Sequence, residues 1–246
     1  MKAATPEPQI LVIDVGGTHV KVRMTGQREE RKIDSGPSMT AARMVRDVKR
    51  LIKDWKYDAI TIGYPGVVID GHPVHEPHNL GVGWVRFDFA KACGRPVKLI
   101  NDAAMQALGS YQRGRMLFLG LGTGLGSAMI VDGVLEPMEL AHLPYKNGKT
   151  YEDYVGDRAM KRMGKKKWRR CVADVVTLLK GAVEADYVVL GGGNSKNLKN
   201  LPAGAKLGDN RNAFIGGTRL WKEETKPRAP KPAPHEPPPP ISEGLR

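Results

Sequence analysis

The stretch LGLGTGLGSAM, Leu119 to Met129, sets glycine at positions 120, 122, 124 and 126. Successive residues of a strand point to opposite faces, so one face of this segment carries no side chain. Interior glycine weakens a strand, and it marks a place where a ligand or another backbone comes close. Residues 116–131 are therefore expected to fold as a hairpin around the glycines, with a further turn at Asp132-Gly133. Its bare face should meet some close neighbour.

Two more glycine turns follow strand-like runs. Ile10 to Asp14 is a short β-branched run that leads into DVGGTHVK, and DYVVL leads into LGGGNSK. A glycine turn after a strand presents free backbone N–H groups, which form concavities for anions. The familiar nucleotide spacings are not met. GLGTGLG runs on into strand where a dinucleotide fingerprint starts a helix, and GGGNSK lacks the glycine that precedes the lysine of a P-loop. An ordinary tight turn explains any one of the three taken singly. All three together make ordinary turns a poorer account than anion binding.

The rest of the chain alternates strands and helices. KVRMTGQREERKI reads as two strand pieces around Thr25-Gly26, and AITIGYPG and VKLIND read as buried strands. Apolar residues at 41, 44, 45, 48, 51, 52 and 55 have helical spacing. AAMQALGSY has helical composition, and Cys171 to Val183 reads as a second amphipathic helix after a basic one. The fold class expected is α/β in two similar halves. From Lys222 onward the chain holds eight of the 18 prolines, a composition of disordered or polyproline II character.

Charge and cysteine content narrow the function. The net charge is +13, and Lys161 to Arg170, KRMGKKKWRR, supplies seven positive charges and no negative ones. A solvated helix face and a polyanion track both account for such a run. No zinc finger, helix-turn-helix or RNP pattern accompanies it, so nucleic acid is not the expected partner. Cys93 and Cys171 have no paired spacing, which suits a reducing compartment. The N-terminal arm is polar and bears prolines, unlike a secretory signal. The longest apolar run is too short and too interrupted to span a bilayer. A cytoplasmic protein without membrane contact is expected.

IDVGGTHVK, GYPGVV, NDAAMQALGSY, LGLGTGLGSAMIVDGVLEPMELAHL and VVLGGGNSK stand in the order found in ROK-family sugar kinases. Together with DYVGDRAMKRMGKKKW, they most resemble the polyphosphate glucokinase branch. The resemblance covers about residues 10–220. It implies two ribonuclease-H-like domains of the actin-like ATPase superfamily with a cleft between them. The corresponding limits are an arm at 1–9, domains at 10–101 and 102–221, and a tail at 222–246.

The resemblance also implies roles. Gly16, Gly17, Thr18 and Lys21 from one domain, with Gly122, Thr123, Gly124, Gly191, Gly192 and Gly193 from the other, would hold the phosphates of polyphosphate or ATP. Asp14 would help to place Mg²⁺, which keeps its waters and binds through few carboxylates plus phosphate. Asp102 would be the base on the 6-hydroxyl of glucose or a similar hexose, although a residue opening a helix is otherwise a cap. Asn79, Asn101, Glu139 and His142 would hold sugar hydroxyls. Relatives of this kind often form homodimers.

Two departures accompany the resemblance. Ala141 stands where relatives have glycine in Glu-x-Gly-His, which would strain the chain if that position needs positive φ. The cysteine-rich zinc motif that many ROK proteins carry after this histidine is missing, so no zinc is expected. His72, His75 and His78 with Glu76 have ligand-like spacing, but two prolines make a surface loop the better reading. Three function classes follow. They are a hexose 6-kinase, a ROK repressor (which would need a DNA-binding domain ahead of the first strand), and a non-catalytic sugar or polyanion-binding regulator, which would be expected to lose Asp102.

Overall fold

The structure, a computed structural model, describes residues 7–222. Most of the expected arm and all of the Pro-rich tail beyond Lys222 lie outside the described residues. Strand β1 (Ile10–Val15) pairs antiparallel with β2 (His19–Met24), and β2 pairs antiparallel with β3 (Arg31–Asp34). Helix α1 (Ala41–Leu51) leads to β4 (Ala59–Tyr64), which lies parallel to β1. A small hairpin, β5 (Val68–Ile69) and β6 (His72–Pro73), and helix α2 (Phe89–Cys93) precede β7 (Val97–Asn101), which lies parallel to β4. The sheet order is β3-β2-β1-β4-β7.

Helix α3 (Asp102–Ser110) starts directly after β7, and the pattern then repeats. Strands β8 (Arg115–Leu121), β9 (Leu125–Val131) and β10 (Val134–Met138) form an antiparallel meander. Helices α4 (Glu152–Val155) and α5 (Asp157–Ala182) follow. Strands β11 (Tyr187–Gly191) and β12 (Ala205–Leu207) then add parallel, and α6 (Asn212–Arg219) closes the fold. The order β10-β9-β8-β11-β12 matches that of the first sheet. This is the α/β fold expected, with one strand arrangement used twice.

Alternation along the strands explains how the halves meet. In β1, Leu11, Ile13 and Val15 join the core under α1, while Ile10 and Val12 point the other way. In β8, Leu117, Leu119 and Leu121 pack beneath α5, while Met116 and Phe118 face back toward the first sheet. Helices α3 and α6 fill the space between these inner faces, so Ala103, Ala104, Met105, Ala213 and Phe214 share one core with both sheets. The helices cross backbone to backbone. A Cβ built on Gly216 would stand 1.8 Å from the Met105 carbonyl oxygen, and one on Gly109 would stand 1.8 Å from that of Asn212.

Helix α1 begins where the apolar spacing places it, with the Thr40 side chain accepting from Arg43 N at 3.2 Å. Asp132 and Gly133 both take positive φ (50° and 87°), as a two-residue hairpin turn requires. The basic stretch corrects one expectation, because it does not form a helix separate from Cys171–Val183. Both belong to α5, and the break falls at Gly164 (φ 78°, ψ 156°). Trp168 is fully buried just beyond the break and donates from Nε1 to the Val155 carbonyl at 2.7 Å, which anchors the helix there.

Candidate functional site

Asp14 is next to last in β1, on the face that carries Ile10 and Val12 toward the second sheet. It pairs in register with Lys21 on β2 and with Gly63 on β4. A Cβ on Gly63 would stand 2.2 Å from Met105 Cε, so this glycine makes room for the α3 side chain that packs on the strand ends. Burial lifts the Asp14 carboxyl to about 6, against the pull of Lys21. Asp102 rises to about 7, mainly through burial and then through the neighbouring Asp14 charge. Two half-buried carboxylates thus lie close enough to repel each other electrostatically, a setting that disfavours ionisation of both.

Asp102 is not the helix cap. Asn101 takes that task, its Oδ1 accepting from Ala104 N at 3.0 Å while Nδ2 donates to the Gly66 carbonyl at 3.0 Å. The Asp102 carboxylate accepts from the N–H of the next residue, Ala103, at 2.7 Å. Its carboxylate keeps lone pairs for another partner. Asn101, expected at the sugar, spends its amide on holding the strand–helix junction.

The three glycine turns differ in detail. At the first, Gly16 N donates to the His19 carbonyl at 3.0 Å, and Ser35 Oγ donates to the Gly16 carbonyl at 2.5 Å. Gly17 and Thr18 are exposed, and their N–H groups donate to no described residue. Asn79 lies against this turn, its Cβ 3.3 Å from a Cβ built on Gly17. The second turn lies between β8 and β9. The Gly122 position is open, as is Gly193 at the third turn. Gly191 packs on Phe118, and Gly192, at φ 78°, packs on the backbone of Leu121. Paired β8 and β11 carry the second and third turns side by side, with Gly120 opposite Gly191.

At two of these glycines a close neighbour stands where a side chain would be. A Cβ on Gly126 would stand 2.8 Å from Ala103 Cβ, so the glycines admit the first turn of the helix that carries Asp102. A Cβ on Gly124 would stand 2.1 Å from Glu152 Oε2, the oxygen that accepts from Leu125 N at 3.2 Å. Glu152 was not apparent from the sequence. It lies 27 residues from Leu125, and no local spacing announces the contact.

Glu139 and His142 are exposed, with His142 Nε2 3.9 Å from Glu139 Oε1. The segment is tied to the hairpin by Ser127 Oγ, which accepts from Leu140 N at 3.1 Å, and to Glu152 by the Ala141 carbonyl, which accepts from Glu152 N at 3.1 Å. Ala141 is buried and does not have positive φ, so alanine is unstrained there. His72, His75 and His78 are exposed, and the Glu76 carboxylate accepts from Trp84 N at 3.0 Å. Among the described residues no three His, Cys, Asp or Glu side chains are grouped to hold a metal ion. No helix among them is long and apolar enough to cross a membrane.

Asp14 suits Mg²⁺ in another way. Its oxygens accept no hydrogen bond from a described residue, and its charge acts on the second buried carboxylate, Asp102. A hard cation completed by water and phosphate oxygens would satisfy both.

A model of the ROK family matches residues 10–136. Polyphosphate glucokinase of Mycobacterium tuberculosis strain CDC 1551 / Oshkosh is 28% identical over 215 residues, which covers 78% of this chain and 80% of the relative. Among solved structures, an inorganic polyphosphate/ATP-glucomannokinase from Arthrobacter sp. strain KM superposes with a TM-score of 0.75 at 24% identity, covering 89% of this chain and 100% of the other. A ROK family glucokinase from Streptomyces griseus, in complex with glucose and AMPPNP, gives a TM-score of 0.71 at 15% identity, covering 86% and 98%.

Proposed function

Because this chain belongs to the ROK family, we propose that it is a sugar kinase that transfers a phosphoryl group from polyphosphate or ATP to the 6-hydroxyl of glucose or a similar hexose. The observation that carries this reading is the buried Asp102 carboxylate, which leaves the capping of α3 to Asn101 and lies within the electrostatic reach of Asp14. Asp102 accepts the hydroxyl proton as the hexose oxygen bonds to the terminal phosphorus and the phosphoanhydride bond breaks. The shortened polyphosphate, or ADP, leaves with the bonding electron pair. Asn79, Glu139 and His142 are the residues we assign to the remaining hydroxyls, because paired polar groups can select a polyol that an apolar pocket cannot.

Free N–H groups at Gly17, Thr18, Thr123 and Gly124 supply preset dipoles for the phosphate oxygens. Lys21 adds positive charge beside Asp14. Asp14 would hold Mg²⁺, which neutralises charge on the transferred group.

The donor assignment draws on the relatives' names and on charge. Lys165, Lys166 and Lys167 are exposed on α5. Arg169 of the same helix donates from Nε to the Asn197 carbonyl at 2.6 Å, which sets the basic face beside the third glycine turn. A coupled assay for glucose 6-phosphate, run with each donor alone, tests the reading. Turnover with at least one donor is expected. A protein that binds glucose and turns over neither donor would instead be a sugar-binding regulator.

A further inference from the structure

We propose that Asn194 is a positioning residue that aims the Thr123 and Gly124 N–H groups at the donor phosphates by holding the Gly122 carbonyl away from them. The inference rests on the phosphotransfer reading and deepens its donor site. The Gly122 carbonyl accepts from Asn194 Nδ2 at 3.1 Å and from Asp157 N, at the start of α5, at 3.1 Å. Asp157 N also approaches the Thr123 carbonyl at 3.3 Å. A trans peptide is planar, with its C=O and N–H pointing in opposite directions. Two successive carbonyls turned toward α5 therefore turn the Thr123 and Gly124 N–H groups to the opposite side. Neither N–H donates to a described residue. Two successive N–H groups on one side form a concavity for an anion.

The hold on Gly122 comes from the third glycine turn, which couples it to the second. Asn194 N donates to the Leu121 carbonyl at 2.9 Å, so its side chain starts from a fixed point. The Asp157 carboxylate also faces Nδ2, at 3.5 Å. Both neighbours of the amide nitrogen are acceptors, which settles the orientation of the side chain. The Asn194 carbonyl in turn accepts from Asn197 N at 2.9 Å and Asn197 Nδ2 at 3.2 Å. A turn that could flip its peptides is thereby locked in the orientation that presents donors.

The test compares wild type with Asn194→Ala and the milder Asn194→Ser. Titration calorimetry with sodium tripolyphosphate and with ATP is combined with steady-state kinetics and thermal unfolding. In Asn194→Ala the donor Kd and KM should rise about five- to tenfold, the worth of a lost orienting hydrogen bond. The sugar KM should stay within about twofold of wild type. If Asn194→Ala does not fold, Asn194→Ser decides, with a smaller shift in the same direction. A folded variant with unchanged donor constants overturns the inference and leaves the kinase reading intact. Equal shifts for donor and sugar assign Asn194 a merely structural role and also overturn it. A wild-type protein that neither binds tripolyphosphate or ATP nor transfers phosphate removes the kinase reading, and the inference with it.

Discussion

Asn101 and Asp102 divide two tasks that a single residue at the strand–helix junction would otherwise have to combine. Asn101 caps α3 through the Ala104 N–H, and the Asp102 carboxylate accepts instead from Ala103 N. Asp102→Asn keeps the shape and cannot take a proton, so kcat should fall at least about 100-fold while sugar Kd, read by calorimetry, stays within about threefold. With the Asp102 carboxyl held near 7 by burial and by Asp14, kcat/KM for the sugar should fall as pH drops below about 7. A bound cation beside Asp14 would move that limb downward. Stability runs the other way. A carboxyl raised in the folded state costs nothing while protonated in both states, and its penalty grows as pH rises from about 4 through 7. Asp102→Asn should therefore raise Tm by a few degrees at pH 8, and by less at pH 4.

At the scale of elements, the crossing of α3 and α6 is the most sharply tested feature. A Cβ at Gly216 meets backbone rather than a flexible side chain, so Gly216→Ala must separate the two helices. A loss of about 2 kcal/mol or more is expected in urea unfolding. The central strands and the turns that end them were legible, because β-branched runs and glycine report on their own neighbourhood. Helix α6 was not. Its sequence NAFIGGTR contains Gly216-Gly217, which sequence reasoning takes as helix-breaking, although both glycines are required by contacts with Met105 and Val12. The break at Gly164 was hidden among charged residues that carry no apolar phase. Asp14, Asp102 and the turn glycines were legible through the motifs that carry the family resemblance, because their residue types alone read equally as caps and tight turns. The contacts of Glu152 and Asn194 were not legible, because their partners are distant in sequence.

At the scale of the whole molecule, the halves share a core through α3 and α6. Circular dichroism and tryptophan fluorescence, with Trp55 and Trp84 beside the first sheet and Trp168 beneath the second, should report one coincident urea transition. Two separated transitions would refute the shared core. The basic face of α5 makes a prediction of its own. Changing Lys165, Lys166 and Lys167 to glutamine should raise KM for long polyphosphate several-fold and leave that for ATP nearly unchanged, with the wild-type advantage fading as salt is added. Equal effects on both donors would return the stretch to a solvated helix face. The repeated strand order also lets the two halves be compared position by position. By register, the Asp14–Lys21 pair at the end of β1 and β2 corresponds to Gly120–Gly126 at the end of β8 and β9. Equivalent positions thus hold a pair of opposite charges in the first half and two glycines in the second. The twin turns differ accordingly, with charge beside one and, beside the other, the clearance that admits the first turn of α3.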